Sequence, residues 1–221
     1  GMKRLVLDIR ENPGGPLDQA IKVSNRFLKK GDLIVYTRGR IPNSDQDYRG
    51  VENSDYTDLP LIALANRRSA SASEIVTGAI QDHDRGLIVG ERTFGKGPVQ
   101  AIWPLRSVRG YALSLTTARY YTPSGKSIQA KGIIPDVMLD DTAEGSPFAA
   151  LRTREADLEK HLLSGQDGKD ADPAKKAALE KERELALKKL EEENKKPPAE
   201  RKLPEYGSDK DFQLRQALNQ L

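Results

Sequence analysis

The chain has 221 residues, with 36 Lys+Arg against 33 Asp+Glu, two histidines and no cysteine. The missing cysteine excludes disulfides, a thiolate nucleophile and Cys-ligated zinc. A net charge of +3 with no concentrated basic stretch argues against a nucleic-acid binder, and no apolar run approaches the roughly 20 residues that cross a bilayer.

The length suits one or two domains, and composition changes near Asp140. Residues 141–221 carry 16 Lys+Arg and 18 Asp+Glu, while the preceding part is richer in apolar runs. The expected division is therefore a core over 3–140 and a charged, mainly helical extension over 141–221. Gly1-Met2-Lys3 runs straight into an apolar stretch with no signal peptide, so the chain reads as a fragment of a longer protein, with Gly1 as a cloning remnant.

Arg4-Leu5-Val6-Leu7-Asp8-Ile9 reads as a short buried strand, broken by Asn12-Pro13-Gly14-Gly15-Pro16. Leu17, Ala20, Ile21, Phe27 and Leu28 predict a helix of about four turns, ended by Gly31. Strand Leu33 to Thr37 follows, then a polar stretch from Arg38 to Leu59 expected to be a long surface loop beside a site. Strand Leu61 to Ala65, helix Ser73 to Asp82 and strand Leu87 to Gly90 complete a β-α-β alternation, which implies an α/β fold with a mostly parallel sheet and flanking helices. Val99 to Trp103 and Tyr111 to Thr117 predict a hairpin through Ser107-Val108-Arg109-Gly110. In the extension, Pro173 to Asn194 has high helix propensity, with Glu–Lys pairs that would keep it solvated. Phe212, Leu214, Leu218 and Leu221 predict a short terminal helix able to dock on the core or on a partner.

Two segments carry the chemistry. Ser71 opens Ser71-Ala72-Ser73-Glu74, a capping-box pattern ahead of an apolar helix. A plain helix cap is one reading. The other is a nucleophile, since the N–H of Ala72 lacks an intrahelical acceptor and can face an oxyanion. A serine needs a base. His83 lies about 18 Å away at the far end of the same helix, and His161 falls in the polar tail, which argues against a Ser–His–Asp triad. Lys96, flanked by Gly95 and Gly97, is the remaining base. It can act only if its pKa falls well below the usual value near 10.4, and Gln100 could orient it without restoring charge. Glu74 paired directly with it would do the opposite, so Glu74 is assigned to support. Gly90-Glu91-Arg92-Thr93-Phe94-Gly95-Lys96 also fits the start of a P-loop, but Gly97 stands where Ser or Thr should hold magnesium, and a strand follows in place of a helix. Gly14 and Gly15 could turn an N–H toward a ligand, or simply make a strand-to-helix turn.

These segments together resemble the carboxy-terminal processing (tail-specific) serine proteases, peptidase family S41. The matching residues are Leu7 to Gly15, Ser69 to Ile75, Gly90 to Gly97 with Gln100, Thr116 to Gly125, Ile128-Gln129 and Lys131 to Asp136. The resemblance implies a ClpP/crotonase-like core and a serine endopeptidase that cleaves proteins near their C-terminus without a cofactor or metal. Ser71 would be nucleophile, Lys96 general base and Gln100 its partner. The oxyanion hole would combine the N–H of Ala72 with that of Gly14 or Gly15, Gly14 being favoured. It further implies protein or peptide substrates and a bacterial periplasmic or envelope location. The PDZ domain usual in the family is missing from this chain, and the 141–221 extension is a candidate for oligomer or adaptor contacts. A catalytically inert binding or assembly module on the same fold is the alternative, and acyl-CoA chemistry has no use for a Ser–Lys pair.

Overall fold

Five consecutive apolar residues, Leu61–Ala65, form a strand with every position buried, as expected of a strand covered on both faces. It is the fourth strand (β4) of a computed structural model that describes residues 1–146, 148–158, 162–163, 173–197, 200 and 205–221. β4 lies between β1 (Leu5–Asp8) and β5 (Leu87–Gly90), parallel to both, and β8 (Val137–Met138) extends this sheet in the order β1-β4-β5-β8. The period-two alternation along β4 sends Leu61, Ala63 and Ala65 to one side and Ile62 and Leu64 to the other.

On the first side lie α1 (Leu17–Asn25) and α2 (Ala72–Asp82). Positions Ala72 to Ile80 of α2 are all buried, because a second sheet covers the helix from beyond. Ile75, Val76, Ala79 and Ile80 share a core with Ile88, Ile34, Val35 and Tyr120. The second sheet is antiparallel, ordered β3-β2-β7-β6, from β2 (Leu33–Gly39), β3 (Gln46–Arg49), β6 (Pro98–Pro104) and β7 (Ala112–Tyr121). The other side of the parallel sheet is closed by α4 (Phe212–Gln220), whose Ala217 is fully buried against Ile62, Leu64 and Val89.

The mixed α/β class and the parallel sheet agree with the sequence reading, but four strands form a second, antiparallel sheet. The stretch 38–59 is not all loop: β3 pairs with β2 because Tyr48, amid polar residues, packs against the core. The first helix is shorter than four turns. Its last intrahelical residue is Asn25, whose buried side chain is diverted to the Val51 N–H and the Glu52 carbonyl. The hairpin forms as expected and runs past the end of β2, which pairs only with Ala118–Tyr121 of β7. Beyond that limit Trp103, Leu105, Tyr111, Leu113 and Leu115 are 42–67% exposed. In the extension, α3 spans Pro173–Lys195. Two 3-10 turns, Ala149–Leu151 and Glu155–Asp157, precede it.

Candidate active site

The C-terminal end of β4 leads through Asn66 to Ser71, the residue before α2. Ser71 has φ 56° and ψ −114°, a conformation that non-glycine residues rarely adopt. Such strain persists only where the surroundings over-determine it, and here they do. The Ser71 N–H donates to Glu74 Oε2 at 2.8 Å, Ser69 Oγ donates to the Ile9 carbonyl at 2.8 Å, and the Phe94 N–H donates to the Ser69 carbonyl. The Ser71 side chain makes no capping hydrogen bond with the helix. The Glu74 N–H donates to the Ser71 carbonyl at 2.9 Å and the Glu74 carboxylate reaches back to the Ser71 N–H, so the capping-box pattern read from the sequence is present at this helix start.

Glu74 is the hub. It is fully buried and accepts four hydrogen bonds: from the N–H groups of Ser71 and Lys96 at one oxygen (2.8 and 2.9 Å), and from the Gly95 N–H and Thr93 hydroxyl at the other (2.7 and 2.5 Å). Burial pushes its carboxyl up to about 7, although all four donors favour the charged form. One carboxylate oxygen therefore makes the backbones of Ser71 and Lys96 neighbours, from positions 25 residues apart. Thr93 Oγ1 in turn accepts from the Ile133 N–H.

Glycines close the Lys96 turn against the segment 129–132. A Cβ at Gly97 would lie 2.4 Å from the Gln129 nitrogen, and Gly95 has φ 96° with Ala130 beside it. Gln129 fixes the same turn by accepting from the Gly97 N–H. The Lys96 side chain is exposed, and among the described residues its amine has no hydrogen-bond or ion-pair partner, Ser71 included. Gln100 lies on β6 at a register shift between Val99 and Gln100, exposed and without a described contact to Lys96. The expected support role of Glu74 agrees with these contacts: it binds the Lys96 backbone and leaves the amine unpaired.

The turn after β1 meets the Ser71 turn directly. The Asn12 carbonyl accepts from the Ala70 N–H and from Ser73 Oγ, both at 3.0 Å. Gly14, at φ 96°, lies so close that a Cβ there would sit 2.5 Å from the Ala70 oxygen, 2.8 Å from the Ala72 nitrogen and 3.1 Å from Ser71 Cβ. The Gly14 backbone therefore packs directly on the backbones of Ala70 and Ala72 and beside Ser71 Cβ, a contact that leaves no room for a side chain. Among the described residues, the N–H groups of Ala72 and Gly15 meet no acceptor, whereas that of Gly14 donates to Asn12 Oδ1 at 2.9 Å. His83 ends α2 with Nε2 2.7 Å from the Leu33 carbonyl. His161 lies outside the described residues.

Sequence reasoning missed Asn66, which is fully buried and holds both turns. Its Oδ1 accepts from the N–H groups of Glu11 and Arg68, and its Nδ2 donates to Glu11 Oε1. A polar residue directly after a wholly apolar strand was the signal available.

Residues 1–139 match the profile of peptidase family S41. The chain is 55% identical over 140 residues to a carboxy-terminal-processing protease of Bartonella bacilliformis, covering 63% of this chain and 31% of that protein. It is 41% identical over 144 residues to a chloroplastic C-terminal processing peptidase of Tetradesmus obliquus, covering 63% and 29%. Among solved structures, a photosystem II D1 C-terminal processing protease superposes with TM-score 0.56 at 42% identity, covering 62% of this chain and 35% of that one. The chain thus spans about a third of the length of the curated relatives it matches, and residues 140–221 lie outside the family match.

Proposed function

This chain belongs to peptidase family S41, and from that premise we propose that the protein carrying it is a serine endopeptidase that cleaves protein substrates near their C-terminus with Ser71 as nucleophile and Lys96 as general base. The observation that carries the proposal is the shared Glu74 oxygen, which joins the Ser71 and Lys96 backbones. A metal or cofactor has no part in the proposed chemistry.

In the first step the neutral Lys96 amine takes the Ser71 hydroxyl proton while Oγ bonds to the scissile carbonyl carbon. The negative charge on the carbonyl oxygen is met by the free N–H of Ala72, beside the Gly14 turn. Gly15 offers a second donor with no bond to break, and Gly14 becomes one when Asn12 Oδ1 releases it. Lys96 then returns the proton to the departing amine as the C–N bond breaks, leaving an ester on Ser71. Water attacks that ester, giving its proton to Lys96, and the carboxylic acid product leaves as Ser71 Oγ regains a proton. The Lys96 amine is exposed, and substrate lying against this face would exclude water from it, the condition under which an amine can serve as base. Catalytic hydrogen bonds commonly tighten only in the substrate complex, and Gln100 would orient the amine there. A periplasmic or envelope location for the enzyme is part of the same proposal and rests on the family resemblance alone.

The exposure of Lys96 and its missing bond to Ser71 favour one rival, an inert binding module on the same fold. A fluorophosphonate probe decides between them. Labelling and peptide cleavage should both vanish in Ser71→Ala, and cleavage should vanish in Lys96→Ala, with the fold retained. Hydrolysis that survives either substitution sinks the dyad.

A further inference from the structure

Arg10 sits two residues before Asn12 with its side chain buried, and all five of its side-chain N–H groups are taken. Asp8 receives Nε and Nη2 at 2.9 and 2.6 Å. Asp211, the N-cap of α4, receives Nη1 and Nη2 as a fork at 2.9 and 2.5 Å, and Gln213 Oε1 receives Nη1 at 3.1 Å. The Tyr206 ring stacks over the same guanidinium, 4.3 Å from its centre. Tyr206 also reaches the other turn of the site. Its hydroxyl accepts from Asn66 Nδ2 (3.3 Å) and Arg152 Nη2 (2.9 Å) and donates to Asp141 Oδ1 (3.0 Å).

Three residues from outside the family-matched region thus hold the two residues on which the site's turns hang. Arg10 leads into Asn12, Gly14 and Gly15. Asn66 binds the backbone of Glu11 on one side and of Arg68 on the other. Glu11 has φ 58°, a strained conformation that needs such restraint. A buried guanidinium stripped of Asp211 would be left under-compensated and would draw the β1 end toward solvent.

We propose that the segment Tyr206–Gln213 is a positioning element of the catalytic site, holding the oxyanion turn and the nucleophile turn in register through Arg10 and Asn66. This rests on the peptidase reading above. The segment touches none of the reacting atoms and acts through the geometry of the Ala72, Gly14 and Gly15 N–H groups relative to Ser71.

The test uses the full protein carrying this chain, with Tyr206→Phe, Asp211→Asn and Asp211→Ala. Tyr206→Phe keeps the ring over Arg10 and removes only the hydroxyl, and Asp211→Asn keeps a good helix cap while losing the charge. Fluorophosphonate labelling of Ser71 counts active sites, peptide cleavage gives kcat and KM, and a peptide boronate reports on the tetrahedral geometry. We expect kcat to fall about tenfold or more with KM changed less than about twofold. Boronate affinity should fall in step with kcat/KM, while circular dichroism stays native. Folded variants with unchanged kcat and boronate affinity overturn the proposal and leave the segment a structural prop. If Asp211→Ala fails to fold, Tyr206→Phe and Asp211→Asn decide. Should the wild-type protein neither label at Ser71 nor cleave, the peptidase reading fails and this one with it; an active wild type with indifferent variants sinks this one alone.

Discussion

At Gly14 the proposed oxyanion site depends on one missing methyl group. The Cβ of an alanine there would press on the Ala70 carbonyl and the Ala72 nitrogen, both backbone atoms that cannot swing aside, and φ 96° would strain it further. Relieving those contacts would push this turn away from the Ala72 N–H and Ser71. Gly14→Ala should therefore cost about 1–3 kcal/mol of stability and about 10²-fold or more in kcat. A variant with near-native turnover would remove the oxyanion role from this turn. Glu74 is the second residue of this kind. Truncation to alanine leaves the N–H groups of Ser71, Gly95 and Lys96 without their acceptor, each worth about 1–3 kcal/mol when buried and unpaired. Glu74→Ala should lower the urea midpoint by the equivalent of several kcal/mol and end labelling of Ser71 even in folded molecules. A change below about 1 kcal/mol would deny Glu74 its place as hub.

Among the elements, α4 shows what the sequence disclosed and what it hid. The spacing of Phe212, Leu214, Leu218 and Leu221 predicts a terminal helix, yet does not say whether it faces the core or a partner. The answer lies in Ala217, too small to stand out in a pattern and fully buried between Ile62, Leu64 and Val89. Ala217→Glu would force a charge into that seam, and α4 should detach at a cost of about 3 kcal/mol or more. Urea unfolding together with limited proteolysis near residue 205 reads this directly, and an unchanged midpoint would contradict the docking. Three strands of the parallel sheet were legible, Leu61–Ala65 and Leu87–Gly90 being unbroken apolar runs, whereas the two-residue β8, Val137–Met138, was not. β3 was not, because Gln46–Arg49 is an edge strand whose polar residues face water and whose pairing partner alone makes it a strand. The candidate site was legible only as residue types, Ser71, Lys96 and the glycines, whose roles are what is proposed. The links between distant segments were not, since no local pattern announces that Asn66 will meet Glu11 or that Arg10 will meet Asp211.

Over the whole molecule, pH sets these buried carboxyls against one another. Glu74 and Glu91 are both raised chiefly by burial, Glu74 to about 7. Asp211 is held low: burial would raise it, but hydrogen bonds from Arg10 and the N–H groups of Leu214 and Gly207 outweigh that. The sign follows from proton counting. Between the ordinary value near 4.5 and about 7, folded Glu74 keeps a proton that the unfolded chain has released, so stability from this group falls as pH rises through that window and is level above it. Asp211 works the other way. Its contribution is full above the unfolded value near 3.8 and is lost as pH falls through the lower folded value. A tenfold difference in proton affinity between folded and unfolded chains is worth about 1.36 kcal/mol, which makes the Glu74 decline on the order of a few kcal/mol. Urea unfolding of wild type and Glu74→Gln from pH 4.5 to 8.5 isolates it, since the amide cannot titrate. The wild-type stability relative to the variant should drop steadily to about pH 7 and stay constant beyond. A difference independent of pH across that range would mean that Glu74 is already ionised in the acid-side protein, with its four donors prevailing over its burial.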